Sequence, residues 1–263
     1  QPMQLNFRQY STQGAPLVIL HGLFGSLGNW GQHSKELAEK FAVYGLDLRN
    51  HGASPHSDKM SYPLMAEDVL AFMDKNNIDS CHLIGHSMGG KVAMQLALDH
   101  PGRINRLIIV DIAPVSYPAS AGGHDEIFAA MEAIDLGNLQ SRVEADEIMK
   151  PYVDEPDIRR FLLTNLHRSS EGEFFWRLNL VAIKAHYDKL REGITSKRPF
   201  ERAVLFVKGA MSNYIRKEDE QAILSLFPLA SVKIVMNAGH WLHAEKPRAF
   251  QSIAMNFLIE AEE

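Results

Sequence analysis

The chain has 263 residues, of which 46% are hydrophobic and 22% charged, a composition typical of a globular protein with a core of its own. Its 32 acidic and 27 basic side chains give a net charge of −5 at pH 7. A chain without a basic stripe is a poor match for phosphate backbones, so nucleic acid is not expected as a partner.

Cys81 is the only cysteine, which excludes a disulfide framework and a cysteine-rich zinc site. It lies in an apolar run, and we interpret it as a buried small hydrophobe rather than a reactive thiol. No stretch approaches the ~20 apolar residues needed to span a membrane, and no charged-then-apolar leader is present. We therefore expect a cytoplasmic protein without a membrane partner. Residues 1–2 are interpreted as a cloning remnant.

Strands and helices are predicted to alternate through the first 115 residues. Strands are expected within 4–10 at an edge, and at 16–20, 41–46, 81–84 and 107–110. Helices are expected before about Lys40, from Pro63 through Met73, and after residue 87 to about His100. Apolar strands separated by helices are typical of a parallel sheet that is covered on both faces.

The alternation stops at about residue 116 and resumes at about 199. The intervening segment shows no strand pattern, and helices are predicted at 127–134, 143–149, 158–166 and 174–185. We predict a helical cap at 116–198, inserted before the penultimate strand of a core domain made of 3–115 and 199–263. Aromatic residues in the cap are expected mainly to pack its own small core. The last strands are expected at 203–207 and 232–236, and the final helix from Pro247 to about Ala261.

Gly85-His86-Ser87-Met88-Gly89 matches the pattern G-x-S-x-G, with an apolar run before it and an amphipathic run after it. That context is the one in which a serine nucleophile sits on a sharp turn between a strand and a helix. The flanking glycines have a steric role, because they let the strand and the helix approach each other closely. Ser87 is therefore the predicted nucleophile.

Gly239-His240 follows the last predicted strand, with one helix still to come, and His240 is the predicted catalytic base. Two other histidines lie near in sequence. His86 lies inside the turn and cannot place its ring on the hydroxyl of its neighbour, whereas His243 is interpreted as a packing or capping residue.

The acid is expected at Asp111, directly after the strand at 107–110. A carboxylate that follows four apolar residues is costly to bury without a partner, and the imidazole of His240 would be that partner. Glu218 and Asp219 are the alternatives, although acidic residues at a helix start are common for other reasons. Ser212 occupies the loop after the penultimate strand and is predicted to hydrogen-bond the acid–base pair.

An oxyanion hole requires two backbone N–H groups directed at the developing negative charge. Met88, the residue after the nucleophile, is expected to supply one, and Leu23 in the Gly-rich loop after the first buried strand the other. Phe24 is the second choice for that loop. Phe24, His86, Ser212 and Trp241 are predicted as substrate-binding or accessory positions.

Four motifs together resemble the α/β-hydrolase superfamily over the whole length of the chain: His21-Gly22, Asp47-x-Arg49-x-His51-Gly52-x-Ser54, Gly85-His86-Ser87-Met88-Gly89-Gly90 and Gly239-His240. More narrowly, longer stretches resemble the bacterial YbfF-type serine esterases: HGLFGS, DLRNHGASP, GHSMGGK, VDIAP with HDEIFAAM, and GHWLHAEKP. The resemblance implies an α/β fold with a mostly parallel sheet and a cap, and an acid at the position of Asp111. It also implies that residues 47–54 are scaffold near the site, with Arg49 in a buried ion pair.

The resemblance further implies a serine carboxylesterase or acyl-thioesterase that acts on short-chain or CoA-linked acyl groups without a metal or organic cofactor. Triad-bearing perhydrolases and carbon–carbon bond hydrolases remain alternatives, as does a ligand receptor built on a hydrolase scaffold. Basic residues of the cap could meet a CoA phosphate, but solvated helix faces are the simpler interpretation. A monomer or a homodimer is expected.

Overall fold

The computed structural model describes residues 1–261, and the last two residues of the predicted core domain lie outside the described residues. Strands occur, in chain order, at β1 (Phe7–Gln9), β2 (Pro16–Leu20), β3 (Ala42–Leu46), β4 (Cys81–His86), β5 (Ile104–Val110), β6 (Leu166–Arg168), β7 (Phe174–Trp176), β8 (Val204–Gly209) and β9 (Ala230–Val235).

Helices occur, in chain order, at α1 (Gly31–Leu37), α2 (Tyr62–Lys75), α3 (Met88–Asp99), α4 (His124–Glu132), α5 (Arg142–Met149), α6 (Pro156–Leu163), α7 (Leu180–Ala185), α8 (Tyr187–Leu190), α9 (Glu220–Leu226), α10 (Leu242–Glu245) and α11 (Pro247–Glu260). Short 3₁₀ turns lie at Leu27–Trp30, Pro101–Arg103, Ala121–Gly123 and Lys217–Asp219. No helix among residues 1–261 is both long and apolar enough to cross a bilayer.

Seven strands form one sheet in the order β1-β3-β2-β4-β5-β8-β9. All neighbours in it are parallel except β1, which pairs antiparallel with β3 at the edge. The central strands are buried on both faces, because helices cover both sides of the sheet. The predicted fold class, an α/β fold with a mostly parallel sheet, is confirmed.

Local signals account for most of the helix boundaries. The Ser61 hydroxyl accepts the Leu64 N–H at the start of α2, and Pro63 lies in its first turn. Trp30 and Leu37 are fully buried against one face of the sheet together with residues of α11. On the other face, α2 and α3 pack into the larger cluster, which continues into the cap segment. We use the name cap segment for residues 116–198.

The cap segment lies between the neighbouring strands β5 and β8, so it emerges at the carboxyl edge of the sheet. The prediction that this segment lacks strands is wrong, because β6 and β7 form an antiparallel hairpin. The predicted helix at 174–185 is likewise a strand followed by α7, and the one predicted at 158–166 ends at Leu163. The hairpin turn contains Gly172 at φ +85°, a signal that helical periodicity alone cannot register.

Two smaller predictions concern single side chains. Arg49 forms a bidentate ion pair with Asp68, with both side chains buried, which confirms the predicted structural role. Cys81 is fully buried, and burial raises the pKa of its thiol to about 12, so it behaves as a core residue.

Candidate active site

Ser87 lies on the sharp turn between β4 and α3. Its backbone is strained, with φ +54° and ψ −117°, outside the regions that non-glycine residues favour. The neighbouring glycines are required by close approach: a Cβ on Gly85 would lie 2.2 Å from the Gly89 carbonyl oxygen, and one on Gly89 would lie 2.3 Å from that of His21. The turn therefore presents the serine hydroxyl at the carboxyl edge of the sheet.

The structure brings the predicted nucleophile, base and acid into one hydrogen-bonded row. His240 Nε2 lies 3.0 Å from Ser87 Oγ, and His240 Nδ1 lies 2.7 Å from Asp111 Oδ2. In the neutral tautomer that fits both contacts, Nδ1–H donates to the carboxylate and Nε2 accepts the serine proton. Residues that are 129 and 153 positions apart in sequence are thus joined by hydrogen bonds.

Asp111 is completely buried, yet both oxygens of its carboxylate are hydrogen-bonded. Its Oδ1 accepts the Gly209 N–H at 3.0 Å, while Oδ2 accepts both the His240 ring N–H and the Ser212 hydroxyl at 2.5 Å. These donors offset the cost of burying the charge. The carboxylate reaches the loop after β8 because β5 and β8 are adjacent parallel strands that end at the same edge.

The alternative acids are placed differently. Asp219 accepts the Arg216 backbone N–H at 2.9 Å and so caps the 3₁₀ turn before α9, while Glu218 is exposed in that same turn. Both side chains therefore do what acidic residues commonly do at a helix start.

Two other histidines lie near the row without joining it. His86 is buried, and its Nε2–H donates to the His240 carbonyl at 2.9 Å; burial holds the pKa of His86 well below its usual value. His243 stacks on Trp30 with ring centroids 4.1 Å apart, which confirms its interpretation as a packing residue. Tyr214 stacks on the His240 ring at 4.0 Å and so fixes its plane.

Leu23 and Met88, the two predicted oxyanion donors, line the same cavity as Ser87. Met88 begins α3, so its N–H has no partner within the helix. The Leu23 N–H makes no hydrogen bond to residues 1–261. The Phe24 N–H, in contrast, donates to His51 Nε2 at 3.1 Å and is not free for a substrate. Of the two candidates in this loop, only Leu23 has an amide available.

A cavity of about 40 Å³ adjoins Ser87. Leu23 and Met88 line it, together with residues that the sequence analysis did not select: Tyr62, Lys91, Ile112, Tyr117, Ala121, His124, Tyr187, Leu190, Arg191 and Tyr214. Most of these are aromatic or aliphatic and come from α2, α3 or the cap segment. Three of them lie in motifs that the sequence analysis named: Lys91 in GHSMGGK, where it is a charge on an otherwise buried helix face, Ile112 in VDIAP, and His124 at the start of HDEIFAAM.

The four accessory positions do not line this cavity. Phe24 is buried and packs edge-on against Phe128 of the cap segment, and Trp241 contacts Phe161 of the same segment at 6.0 Å between ring centroids. His86 and Ser212 contact the base and the acid, as described above. All four therefore pack against the cap segment or the hydrogen-bonded row and do not line the cavity.

Lys91, on α3, contacts the chain just before the cap segment begins and again near the C-terminal end of the cap segment. Its side chain is 1% exposed, and its ammonium donates to the carbonyls of Val115 at 2.8 Å and Glu192 at 2.6 Å. Burial lowers the pKa of Lys91 to about 7, although the nearby Glu192 carboxylate opposes that shift. The amine also lies 4.8 Å from the centre of the Tyr117 ring.

The fold and the placement of these residues define a class, and comparison with known proteins agrees. The family model for the α/β hydrolase fold matches residues 15–247. The chain belongs to the α/β-hydrolase family.

Individual relatives are similar to this chain over most of its length. The sn-1-specific diacylglycerol lipase ABHD11 of Xenopus laevis is 42% identical over 257 residues, which are 95% of this chain and 82% of that protein. Esterase YbfF of Escherichia coli is 38% identical over 251 residues, 94% of this chain and 96% of that protein. A solved structure titled as a marine microorganism esterase superposes with a TM-score of 0.95 at 40% identity, covering 97% of this chain and 99% of its own. This chain is accordingly a hydrolase of the esterase and lipase type.

Proposed function

We propose that this protein is a serine esterase that cleaves small carboxylic esters through an acyl-enzyme, with Ser87 as nucleophile, His240 as base and Asp111 as acid. The observation that carries the proposal is the hydrogen-bonded row from Ser87 Oγ through the His240 ring to the buried Asp111 carboxylate. Leu23 and Met88 supply the two N–H donors of the oxyanion hole in this proposal.

The proposed reaction has two acyl-transfer steps. Ser87 Oγ attacks the ester carbonyl carbon while His240 Nε2 takes the hydroxyl proton, and the carbonyl oxygen becomes an oxyanion between the Leu23 and Met88 amides. His240 then gives that proton to the departing alkoxide as the carbon–oxygen bond breaks. Water, deprotonated by His240, attacks the carbonyl carbon of the acyl-enzyme. The bond from that carbon to Ser87 Oγ then breaks, His240 returns the proton to Ser87 Oγ, and the carboxylic acid leaves. Asp111 holds the imidazole in the required tautomer and stabilises the imidazolium.

The cavity supports a short acyl group. The cavity beside Ser87 is small, about 40 Å³, and its lining is mainly aromatic and aliphatic. A small apolar cavity favours a short acyl group over a long one. We therefore propose short-chain acyl esters as the substrate class.

We propose an alcohol in preference to CoA as the leaving group because the similar proteins are named as esterases and lipases, which cleave oxygen esters. Six of the eleven basic residues in the cap segment donate to acidic side chains or backbone carbonyls: Arg142, Lys150, Arg159, Arg160, Arg168 and Lys184. The thioester alternative is tested by presenting acetyl-CoA beside p-nitrophenyl acetate.

Turnover of p-nitrophenyl esters of increasing chain length tests the proposal. Wild-type protein should hydrolyse the acetate and butyrate, and Ser87→Ala should lose at least about 10³-fold in kcat while its circular dichroism and melting temperature stay close to wild type. A fluorophosphonate probe should label wild type and not the variant. Full activity in Ser87→Ala contradicts the proposal, and labelling without multiple turnover favours a ligand receptor on a hydrolase scaffold.

A further inference from the structure

Phe24, beside the proposed oxyanion donor Leu23, has an unusual backbone that is held at both of its peptide groups. Its φ is +66°, a left-handed value that a bulky side chain rarely adopts, and the residue is 2% exposed. Its N–H donates to His51 Nε2 at 3.1 Å, and its carbonyl accepts the Asn165 side-chain amide at 2.8 Å. A strained conformation of this kind persists only where its surroundings define it.

The His51 contact requires one particular form of the imidazole. Nε2 accepts from the Phe24 amide, so Nδ1 carries the proton and donates to the Arg49 carbonyl at 2.9 Å. His51 is completely buried, and burial together with the nearby His21 ring lowers the pKa of His51 to about 3. The ring is therefore a fixed acceptor at neutral pH. This gives a task to the histidine of the DLRNHGASP motif, which the proposed reaction does not use.

The Asn165 contact comes from the cap segment. Asn165 is 3% exposed, and its side-chain amide also donates to the Leu162 carbonyl, which fixes its orientation. A second hydrogen bond joins the cap segment to the residue before His51: the Asn179 backbone N–H donates to the Asn50 carbonyl. The cap segment thus contacts the loop around Phe24 directly through Asn165 and indirectly through the neighbour of His51.

We infer that His51 and Asn165 are positioning residues that together hold the Leu23–Phe24 loop so that the Leu23 N–H stays free to meet the oxyanion. The inference rests on the proposed ester hydrolysis, which makes Leu23 a donor. His51 holds the peptide group between Leu23 and Phe24 through the Phe24 N–H. Asn165 holds the peptide group between Phe24 and Gly25 through the Phe24 carbonyl. Docking of the cap segment then completes the oxyanion hole as well as closing the cavity.

Asn165→Ala and the isosteric Asn165→Asp remove the amide donor, and His51→Ala removes the acceptor, whereas His51→Gln returns a side-chain acceptor. Since a displacement of about 1 Å in an active site costs up to 10²-fold, kcat for p-nitrophenyl acetate should fall about 10- to 100-fold in the first three variants. KM should change less than about threefold. His51→Gln should recover part of the loss.

His186→Ala is the matched control, because it removes another hydrogen bond between the cap segment and the core, from His186 Nε2 to the Asp58 carbonyl at 2.5 Å, without contacting Phe24. Its kcat should stay within about twofold of wild type. A trifluoromethyl ketone, which forms a tetrahedral oxyanion on the serine, gives a second readout: its inhibition constant should rise in parallel with the loss of kcat. A merely structural role lowers the melting temperature without that parallel.

The outcomes separate the two claims. If wild-type turnover is abolished by Ser87→Ala but kcat is unchanged in the Asn165 and His51 variants, or falls equally in His186→Ala, the positioning role is overturned and the esterase proposal stands. If Asn165→Ala does not fold, the isosteric Asn165→Asp decides. If wild type shows no turnover that depends on Ser87, the proposed function fails, and the positioning role with it.

Discussion

Ser212 Oγ lies 2.5 Å from Asp111 Oδ2, the same carboxylate oxygen that accepts the His240 ring N–H. The serine belongs to the loop after β8, and its oxygen also accepts the Tyr214 backbone N–H at 3.2 Å. The hydroxyl is therefore oriented with its proton toward the carboxylate. The neutral Ser212 hydroxyl, in the loop after β8, thus donates to the carboxylate of Asp111, which follows the neighbouring strand β5.

Ser212→Ala removes that donor and should lower kcat about 3- to 10-fold, because the buried carboxylate loses one of three hydrogen bonds and becomes less well oriented. Steady-state kinetics with p-nitrophenyl acetate measure the effect. Ser212→Thr keeps the hydroxyl and should stay closer to wild type than alanine does. Equal kcat in wild type and Ser212→Ala would show that the contact has no influence on the reaction.

Asp111→Asn keeps the size of the acid but removes its charge and favours the wrong imidazole tautomer. Its kcat should fall about 10⁴-fold, the order found when the same change is made in other serine triads. Asp219→Asn should retain kcat and lose only some stability, because this carboxylate caps the turn at Arg216. The reverse result, activity lost in Asp219→Asn and kept in Asp111→Asn, would move the acid to the later position.

Buried neutral histidines should make the fold acid-labile. Burial lowers the pKa of His51 to about 3 and of His82 and His124 to about 4, and it lowers the pKa of His21, His86 and His243 as well. The unfolded chain binds protons at these sites near pH 6.5 and the folded chain does not. Stability is therefore complete above about pH 6.5 and lost as pH falls toward about 3 to 4.

For one histidine that stays neutral in the folded state, the loss between pH 8 and pH 5 is about 2 kcal/mol. Urea unfolding at the two pH values measures the sum over all such residues. His82→Gln is the informative variant: His82 accepts the Arg106 N–H in the core sheet, remote from Ser87, so this change should make the pH dependence shallower and leave kcat unchanged. Equal stability at pH 8 and pH 5 would contradict the prediction.

Lys91→Met should loosen the cap segment. Methionine fills a similar volume but leaves the Val115 and Glu192 carbonyls without their donor, and an unsatisfied polar group costs about 1–3 kcal/mol. Removing the buried charge offsets part of this, so we expect about 1–2 kcal/mol lower stability and faster proteolysis within residues 116–198. Lys189→Met, at an exposed position of α8, is the control. Unchanged proteolysis of Lys91→Met would refute the link.

Local patterns in the sequence were sufficient for the sheet, its flanking helices and the strand ends that carry Ser87, Asp111 and His240. Burial on both faces requires a continuous apolar run in each central strand, and the turn at Ser87 requires a glycine on either side. Both features are therefore visible in neighbouring residues of the sequence. The hairpin of the cap segment left a weaker record, because two three-residue strands carry too few residues to show a period.

Only the tertiary structure decided which groups meet. The Phe24 amide is occupied by His51, 27 residues further along the chain, and the Phe24 carbonyl by Asn165, 141 residues further along. The aromatic cavity at Ser87 likewise combines side chains from α2, α3 and the cap segment. Contacts between distant residues depend on the order of the strands and on how the cap segment docks, and the spacing of neighbouring residues determines neither.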